Sequence, residues 1–318
     1  MRVYGPVPSR RFGLSLGIDV VPRKTCTLDC GYCQVGPTTS LTDEPTLFYP
    51  VGGILADVDE ALEDDPHLDV ITLAGSGEPT LYSGLGELID GLKARAPGVP
   101  VLLITNGTLL WREEVAAAAM RADILAPSLD AGDPETFARV SNPHPELAFE
   151  RVLDGLERVT RAFAGEVRLE VMLVRGVNDS PVSIAAIAAC LERLRFDRID
   201  LNTPVRPPVP ERGALPCDEQ TLARAMAVFG PKARPIGRFT GSRAADSSHR
   251  GFDDSDKDVR ELLLRRPCTA EDIAASLGLH PHEVAKIIEH LISKGLVESR
   301  ASGGVAWFHA RGGNPSGS

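Results

Sequence analysis

Short runs of β-branched and aliphatic residues alternate with longer stretches whose apolar positions recur every three to four residues, and this alternation continues from about residue 14 to residue 229. A run of a few apolar residues suits a buried strand, a 3.6-residue period suits a core-facing helix, and their regular alternation predicts βα units around a parallel sheet. Six strands are expected, over 14–21, 69–73, 101–104, 124–127, 167–174 and 198–201. The stretch 181–195 is the clearest helix. Ile184, Ile187, Leu191 and Leu194 share one face, and Pro181 stands where a first helical turn needs no amide donor.

The pattern changes near residue 230. Between Gly230 and Gly251 the chain carries Lys232, Arg234, Arg238, Arg243 and Arg250 against Asp246 alone, interspersed with glycine and serine, which predicts a basic linker over 230–252. Apolar periodicity then resumes through Val259, Leu262 and Leu263, through Ile273 and Leu277, and through Val284, Ile287, Ile288 and Leu291. β-like segments at 296–298 and 305–308 follow. Three helices and a two-stranded wing fit this order, giving a winged-helix-like domain over 253–311. The glycine- and serine-rich tail 312–318 is expected to be disordered.

Composition narrows the function classes. A chain of 318 residues with 43% hydrophobic content is long enough for one enzyme-sized domain and a small appendage. The first thirteen residues lack the apolar run of a signal peptide, and no stretch approaches the roughly 18 apolar residues of a membrane span, so a soluble, cytoplasmic protein is expected. A net charge of −10 argues against a basic coat for nonspecific nucleic-acid binding. The cysteines number six, and half of them fall within eight residues, a distribution unlike a disulfide framework.

That cluster is Cys26-Thr27-Leu28-Asp29-Cys30-Gly31-Tyr32-Cys33, directly after the first expected strand. Three closely spaced thiolates can hold three corners of an iron-sulfur cubane and leave the fourth iron without a protein ligand. Structural zinc normally takes four protein ligands, and no nearby Cys or His pair completes such a set. The C-x3-C-x-aromatic-C spacing, with Tyr32 at the aromatic position, resembles the hallmark of the radical S-adenosylmethionine (SAM) superfamily. The resemblance implies a partial (β/α)6 barrel over 1–229, one [4Fe-4S] cluster on Cys26, Cys30 and Cys33, and SAM chelated at the open iron. It also implies reductive cleavage of SAM to a 5′-deoxyadenosyl radical that abstracts hydrogen from a substrate.

Functional groups in such barrels sit on loops at the C-terminal ends of the strands. After the second expected strand comes Gly75-Ser76-Gly77-Glu78-Pro79, similar to the superfamily's Gly-Gly-Glu-Pro motif apart from Ser76. The resemblance implies that Gly75, Gly77 and Glu78 meet the cosubstrate ammonium. Later strand ends offer Asn106, then Ser128 and Asp130, then Asn178, all expected to contact cosubstrate as similar loops of the superfamily do. Asn-Gly and Asp-containing sequences are also ordinary turn formers. Asn202 and Arg206, together with Arg10 and Arg11 ahead of the first strand, are substrate-side candidates. Cys190 falls beside the apolar stripe of its helix and reads as a core residue, while Cys217 and Cys268 carry no assigned role.

Residues 4–210 further resemble an uncharacterised branch grouped with tRNA wyosine synthases, through Tyr4-Gly-Pro-Val-Pro-Ser-Arg-Arg-Phe-Gly and Leu201-Asn-Thr-Pro-Val-Arg-Pro-Pro. Wyosine synthase proper holds a second cluster on cysteines ahead of the motif, and none precedes Cys26 here. The substrate class stays open among RNA, peptide and small molecule, with a wyosine-synthase-like tRNA enzyme and a glycyl-radical activating enzyme as alternatives. An electron donor such as flavodoxin or ferredoxin is the implied partner. The rival from another class is an iron-sulfur redox-sensing regulator that binds DNA through the winged domain. The expected second helix of that domain carries His282, Lys286, His290 and Lys294 but also Glu283 and Glu289. Docking on the barrel or on a protein partner is therefore expected in preference to DNA reading.

Overall fold

The computed structural model describes residues 2–9, 11–63, 66–204, 213–236, 252–265, 267–277, 279–302 and 305–311. It opens with an antiparallel hairpin of β1 (Val3–Ser9) and β2 (Gly13–Ile18). Two short strands, β3 (Thr25–Cys26) and β4 (Ser40–Leu41), pair with each other and clasp the cysteine loop between them. There follow α1 (Val51–Leu62), β5 (Val70–Leu73), α2 (Leu85–Arg95), β6 (Val101–Thr105), α3 (Glu113–Ala119) and β7 (Ile124–Pro127). The unit continues through α4 (Pro134–Ser141), α5 (Phe149–Ala162), β8 (Glu166–Met172), α6 (Pro181–Leu191), β9 (Arg198–Asn202), α7 (Glu219–Phe229) and β10 (Ala233–Pro235).

The large sheet has the order β1-β2-β5-β6-β7-β8-β9-β10 and is parallel from β2 onward. Strands buried on both faces explain the continuous apolar runs of the sequence. On β5, Ile71 and Leu73 pack with the main core, while Val70 joins Leu102, Ala126 and Phe12 in a separate cluster. The sheet is curled. Arg11, in the turn before β2, pairs with Glu170 on β8, four strands further along the order. Four spacings of about 4.8 Å would hold those strands roughly 19 Å apart in a flat sheet. The contact needs the sheet closed on itself as a partial barrel, with Phe12 and the Arg168 guanidinium 4.6 Å above its ring plugging the N-terminal end.

All six expected strands form, and the large sheet adds two, β1 and β10, beside the separate short pair β3 and β4. β1 carries Pro6 and Pro8, which weaken a strand pattern and are tolerated because β1 is an edge. β10 pairs with β9, so the expected domain end at 229 falls inside the sheet's last unit. Lys232 and Arg234 therefore belong to the barrel rather than to a linker, and Lys232 Nζ donates to Phe196 O at 2.6 Å. Arg238, Arg243 and Arg250, and the tail 312–318, lie outside the described residues.

The second unit comprises α8 (Phe252–Arg265), α9 (Ala270–Leu277), α10 (Pro281–Ser293) and the antiparallel pair β11 (Val297–Ser302) and β12 (Val305–Ala310). Val259, Leu263, Ile273, Val284 and Ile287 form its core, together with Cys268, which is fully buried. Thr269 opens α9 with a reciprocal cap: Asp272 N donates to Thr269 Oγ1 at 3.0 Å and Thr269 N to Asp272 Oδ2 at 3.2 Å. The unit touches the barrel at Arg23, whose Nη1 donates to Leu264 O at 2.5 Å. Among the described residues, no helix is long and apolar enough to cross a membrane.

Candidate active site at the C-terminal ends of the strands

The cysteine loop leaves the C-terminal end of β2 and is held by its own polar groups. Thr38 N donates to Asp29 Oδ1 at 2.6 Å and Thr38 Oγ1 to Leu28 O at 2.8 Å, while Asp29 N and Gly31 N donate to carbonyls of Ser141 and Val140 at the end of α4. Cys26, Cys30 and Cys33 are partly exposed free thiols, whereas Cys190, Cys217 and Cys268 are buried. Burial, and then the charge of Glu78, pushes the Cys26 thiol up to about 12. Burial, and then the charges of Cys26 and Cys33, raises Cys30 well above its ordinary value. Thiols that hinder one another's ionisation need cationic partners to become thiolates, and binding several irons supplies them.

Donors already point at the sulfurs. Leu28 N lies 3.5 Å from Cys26 Sγ, Asn106 Nδ2 lies 3.7 Å from the same atom, and Lys24 Nζ lies 3.2 Å from Cys33 Sγ. Such contacts orient metal-bound sulfur and tune its electron density. Three thiols with N–H and ammonium donors beside them have the donor chemistry that an iron-sulfur cluster takes.

Glu78 links this loop to the next two strand ends. Its Oε1 accepts from Thr80 N at 3.0 Å, Thr80 Oγ1 at 2.7 Å and Thr105 Oγ1 at 2.6 Å, and its Oε2 accepts from Asn106 N at 2.8 Å. It is 2% exposed. Burial raises its pKa, while these donors pull it down. Glu78 N in turn donates to Thr25 O at 3.0 Å. Asn106 completes the circuit: Nδ2 donates to Thr27 Oγ1 at 2.7 Å and Oδ1 accepts from Thr108 N at 3.0 Å. Gly77 permits the close approach, since a Cβ there would lie 2.1 Å from Thr25 O. A Cβ on Gly75 would collide with the Asp19 carboxylate. That carboxylate accepts both the N–H and the hydroxyl of Ser76, which accounts chemically for serine in place of the expected glycine.

Tyr32 donates its hydroxyl to Asp130 Oδ2, and Asp130 Oδ1 accepts from Met172 N at 2.8 Å. Burial pushes Asp130 up to about 6, and raises Tyr32 so that its phenol keeps its proton. Tyr32, Asn106, Ser128 and Asp130 line one small cavity of about 20 Å³, closed on its apolar side by Phe137 and Leu156. Four expected cosubstrate residues thus converge.

Asn178 does not join them. It is fully buried, and its Nδ2 donates to Asp130 O at 2.7 Å and Met172 O at 2.8 Å while Oδ1 accepts from Val174 N at 2.7 Å. Both donors are consumed by backbone, so Asn178 braces the loops after β7 and β8 instead of facing a ligand. Among the substrate-side residues, Arg11 is bound to Glu170 inside the barrel, and Asn202 Oδ1 accepts from Thr203 N at 2.9 Å. Arg10 and Arg206 lie outside the described residues. Sequence reasoning missed Asp19, Lys24, Thr105 and Glu170. The inward alternation of Ser15, Gly17 and Asp19 along the first strand was the available signal for Asp19, and nothing local marks Lys24.

Residues 20–186 match the model of the radical SAM superfamily. A UPF0026 protein of Methanocaldococcus jannaschii is 30% identical over 92% of this chain and 86% of its own length. A protein named GTPase Obg in Brachyspira hyodysenteriae is 35% identical over 96% of this chain, which spans 44% of that protein's length. In three dimensions the chain is similar to a radical SAM methyltransferase from Sphaerobacter thermophilus, with a TM-score of 0.55 and 20% identity over 70% of this chain and 65% of that one, a likeness of fold. The match across half of the chain, in a span that includes the cysteine loop and the strand ends around it, makes this protein an enzyme of the radical SAM superfamily.

Proposed function

We propose that this enzyme holds one [4Fe-4S] cluster on Cys26, Cys30 and Cys33 and uses it to cleave SAM, generating a 5′-deoxyadenosyl radical that abstracts hydrogen from a substrate. When bound, the cluster supplies the low-potential electron for cleavage and an open iron for the cosubstrate's amino and carboxylate groups. The observation that carries the reading is the Glu78–Asn106 circuit, which ties the loops after β5 and β6 to Thr25, Thr27 and Cys26 in the cysteine loop.

The chain's own residues then have distinct tasks. Gly75 and Gly77 keep the strand-end backbone near the cysteine loop, and Glu78, with a lone pair left on Oε2, is placed to accept from the cosubstrate ammonium. Asn106 and Ser128 offer polar contacts, and Asp130 holds the Tyr32 ring over the same cavity. Asn202, at the C-terminal end of β9, is the substrate-side candidate, whereas Arg11 is held by Glu170, and a flavodoxin- or ferredoxin-type donor supplies electrons. Iron and sulfide analysis of anaerobically reconstituted protein tests the ligand assignment. About four irons per chain are expected, lost in Cys26→Ala, Cys30→Ala and Cys33→Ala. About eight irons, or variants that keep the cluster spectrum, would overturn it.

A further inference from the structure

Lys24 sits two residues ahead of Cys26 with a left-handed backbone, φ 60°, and is only 6% exposed. Non-glycine residues enter this region at a cost, and a bulky aliphatic stem has no local hydrogen bond to offset it. Glycine would suit the backbone better. The backbone is fully used all the same: Lys24 N donates to Ser76 O at 2.7 Å, and Lys24 O accepts from Thr39 N at 3.1 Å and Ser40 N at 3.0 Å. A residue chosen for the turn alone would not be lysine.

The side chain explains the choice. Nζ lies 3.2 Å from Cys33 Sγ, and among the described residues no carboxylate lies within ion-pair distance of it. A buried ammonium without a carboxylate is costly unless another anion faces it. The anion on offer is the Cys33 sulfur as a cluster ligand.

We infer that Lys24 is a positioning residue that biases the cluster's reduction potential upward by holding a fixed positive charge against Cys33. The inference rests on the cluster assignment proposed above. Three thiolates on an oxidised [4Fe-4S]2+ core sum to one negative charge; the single electron taken from a low-potential donor raises this to two. A cation at contact distance stabilises the more negative state preferentially, and burial strengthens the effect by lowering the local dielectric. The electron enters the cluster and no bond at Lys24 is made or broken.

The test is an anaerobic redox titration followed by electron paramagnetic resonance, with dithionite as the one-electron reductant and no cosubstrate, on wild type, Lys24→Met and Lys24→Arg. Lys24→Met is expected to lower the ratio of reduced to oxidised cluster at a given potential about tenfold, a midpoint about 59 mV more negative for a one-electron couple, with iron content unchanged. Lys24→Arg should retain most of the wild-type midpoint. Lys24→Gly, which relieves the left-handed backbone while removing the charge, should shift the midpoint as Lys24→Met does and serves if Lys24→Met fails to fold. Equal midpoints in wild type and the neutral variants would overturn the inference while leaving the cluster assignment intact. Absence of any cluster in wild type would instead overturn the assignment on which it stands.

Discussion

Glu78 Oε2 accepts the backbone N–H of Asn106 at 2.8 Å, joining the end of the second parallel strand to the end of the third directly beneath the cysteine loop. The carboxylate serves four donors, so its removal strands several at once. Glu78→Ala is expected to destabilise the fold by about 3–5 kcal/mol, because buried donors lose a charged acceptor. It should also weaken SAM binding about tenfold or more. Denaturant unfolding and anaerobic equilibrium binding measure the two effects; unchanged stability would remove Glu78 from its linking role.

Gly77 and Gly31 form an internal comparison. A Cβ at Gly77 meets Thr25 O at 2.1 Å, a backbone atom that cannot withdraw without moving Cys26, whereas a Cβ at Gly31 meets nothing within 4 Å. Gly77→Ala should lower iron retention by more than half, and Gly31→Ala should leave it near wild type. Iron content after gel filtration decides between them, and equal retention would contradict the close packing of the two loops.

Asp130 makes stability pH-dependent. Burial raises its folded pKa from the ordinary carboxylate range to about 6, so its favourable contribution is complete below the unfolded value and is lost as pH rises through about 6. Through Asp130 alone, the protein should lose about 1 kcal/mol of stability between pH 5 and pH 7 relative to Asp130→Asn. Paired urea unfolding curves at the two pH values give the difference. A difference of opposite sign would mean that Tyr32 and the Met172 amide outweigh burial.

The C-terminal unit should not read DNA. α10 carries Lys286 against Glu283 and Glu289, Lys294 caps its C-terminal end, and His290 lies 3.3 Å from the Asp256 carboxylate. Duplex binding gains from counterion release when several Lys or Arg meet phosphates. The full chain at physiological salt is expected to show no sequence-selective, submicromolar DNA binding by fluorescence anisotropy. Such binding, if seen, would revive the regulator reading.

The strands of the barrel and the winged unit were legible because burial on one or two faces writes a period into the sequence, as with Ile71 and Leu73 or Val284 and Ile287. The cysteine loop was legible because its three thiols fall within eight residues of one another. β1 and β10 were hidden, one by prolines acceptable only at an edge and the other by a three-residue length. Asn178 was misplaced because a polar residue after a strand looks the same whether it faces a ligand or satisfies backbone. Lys24 and Glu170 depend on partners at a distance, Lys24 on a cysteine nine residues away and Glu170 on an arginine 159 residues away, which no local pattern encodes.

Reductive cleavage of SAM by this enzyme is measured as 5′-deoxyadenosine after incubating reconstituted protein anaerobically with dithionite and SAM. Release is expected that requires reductant and disappears in Cys26→Ala, Cys30→Ala and Cys33→Ala. Fully iron-loaded protein that binds SAM yet releases no 5′-deoxyadenosine, alone or with cell extract added, would contradict it.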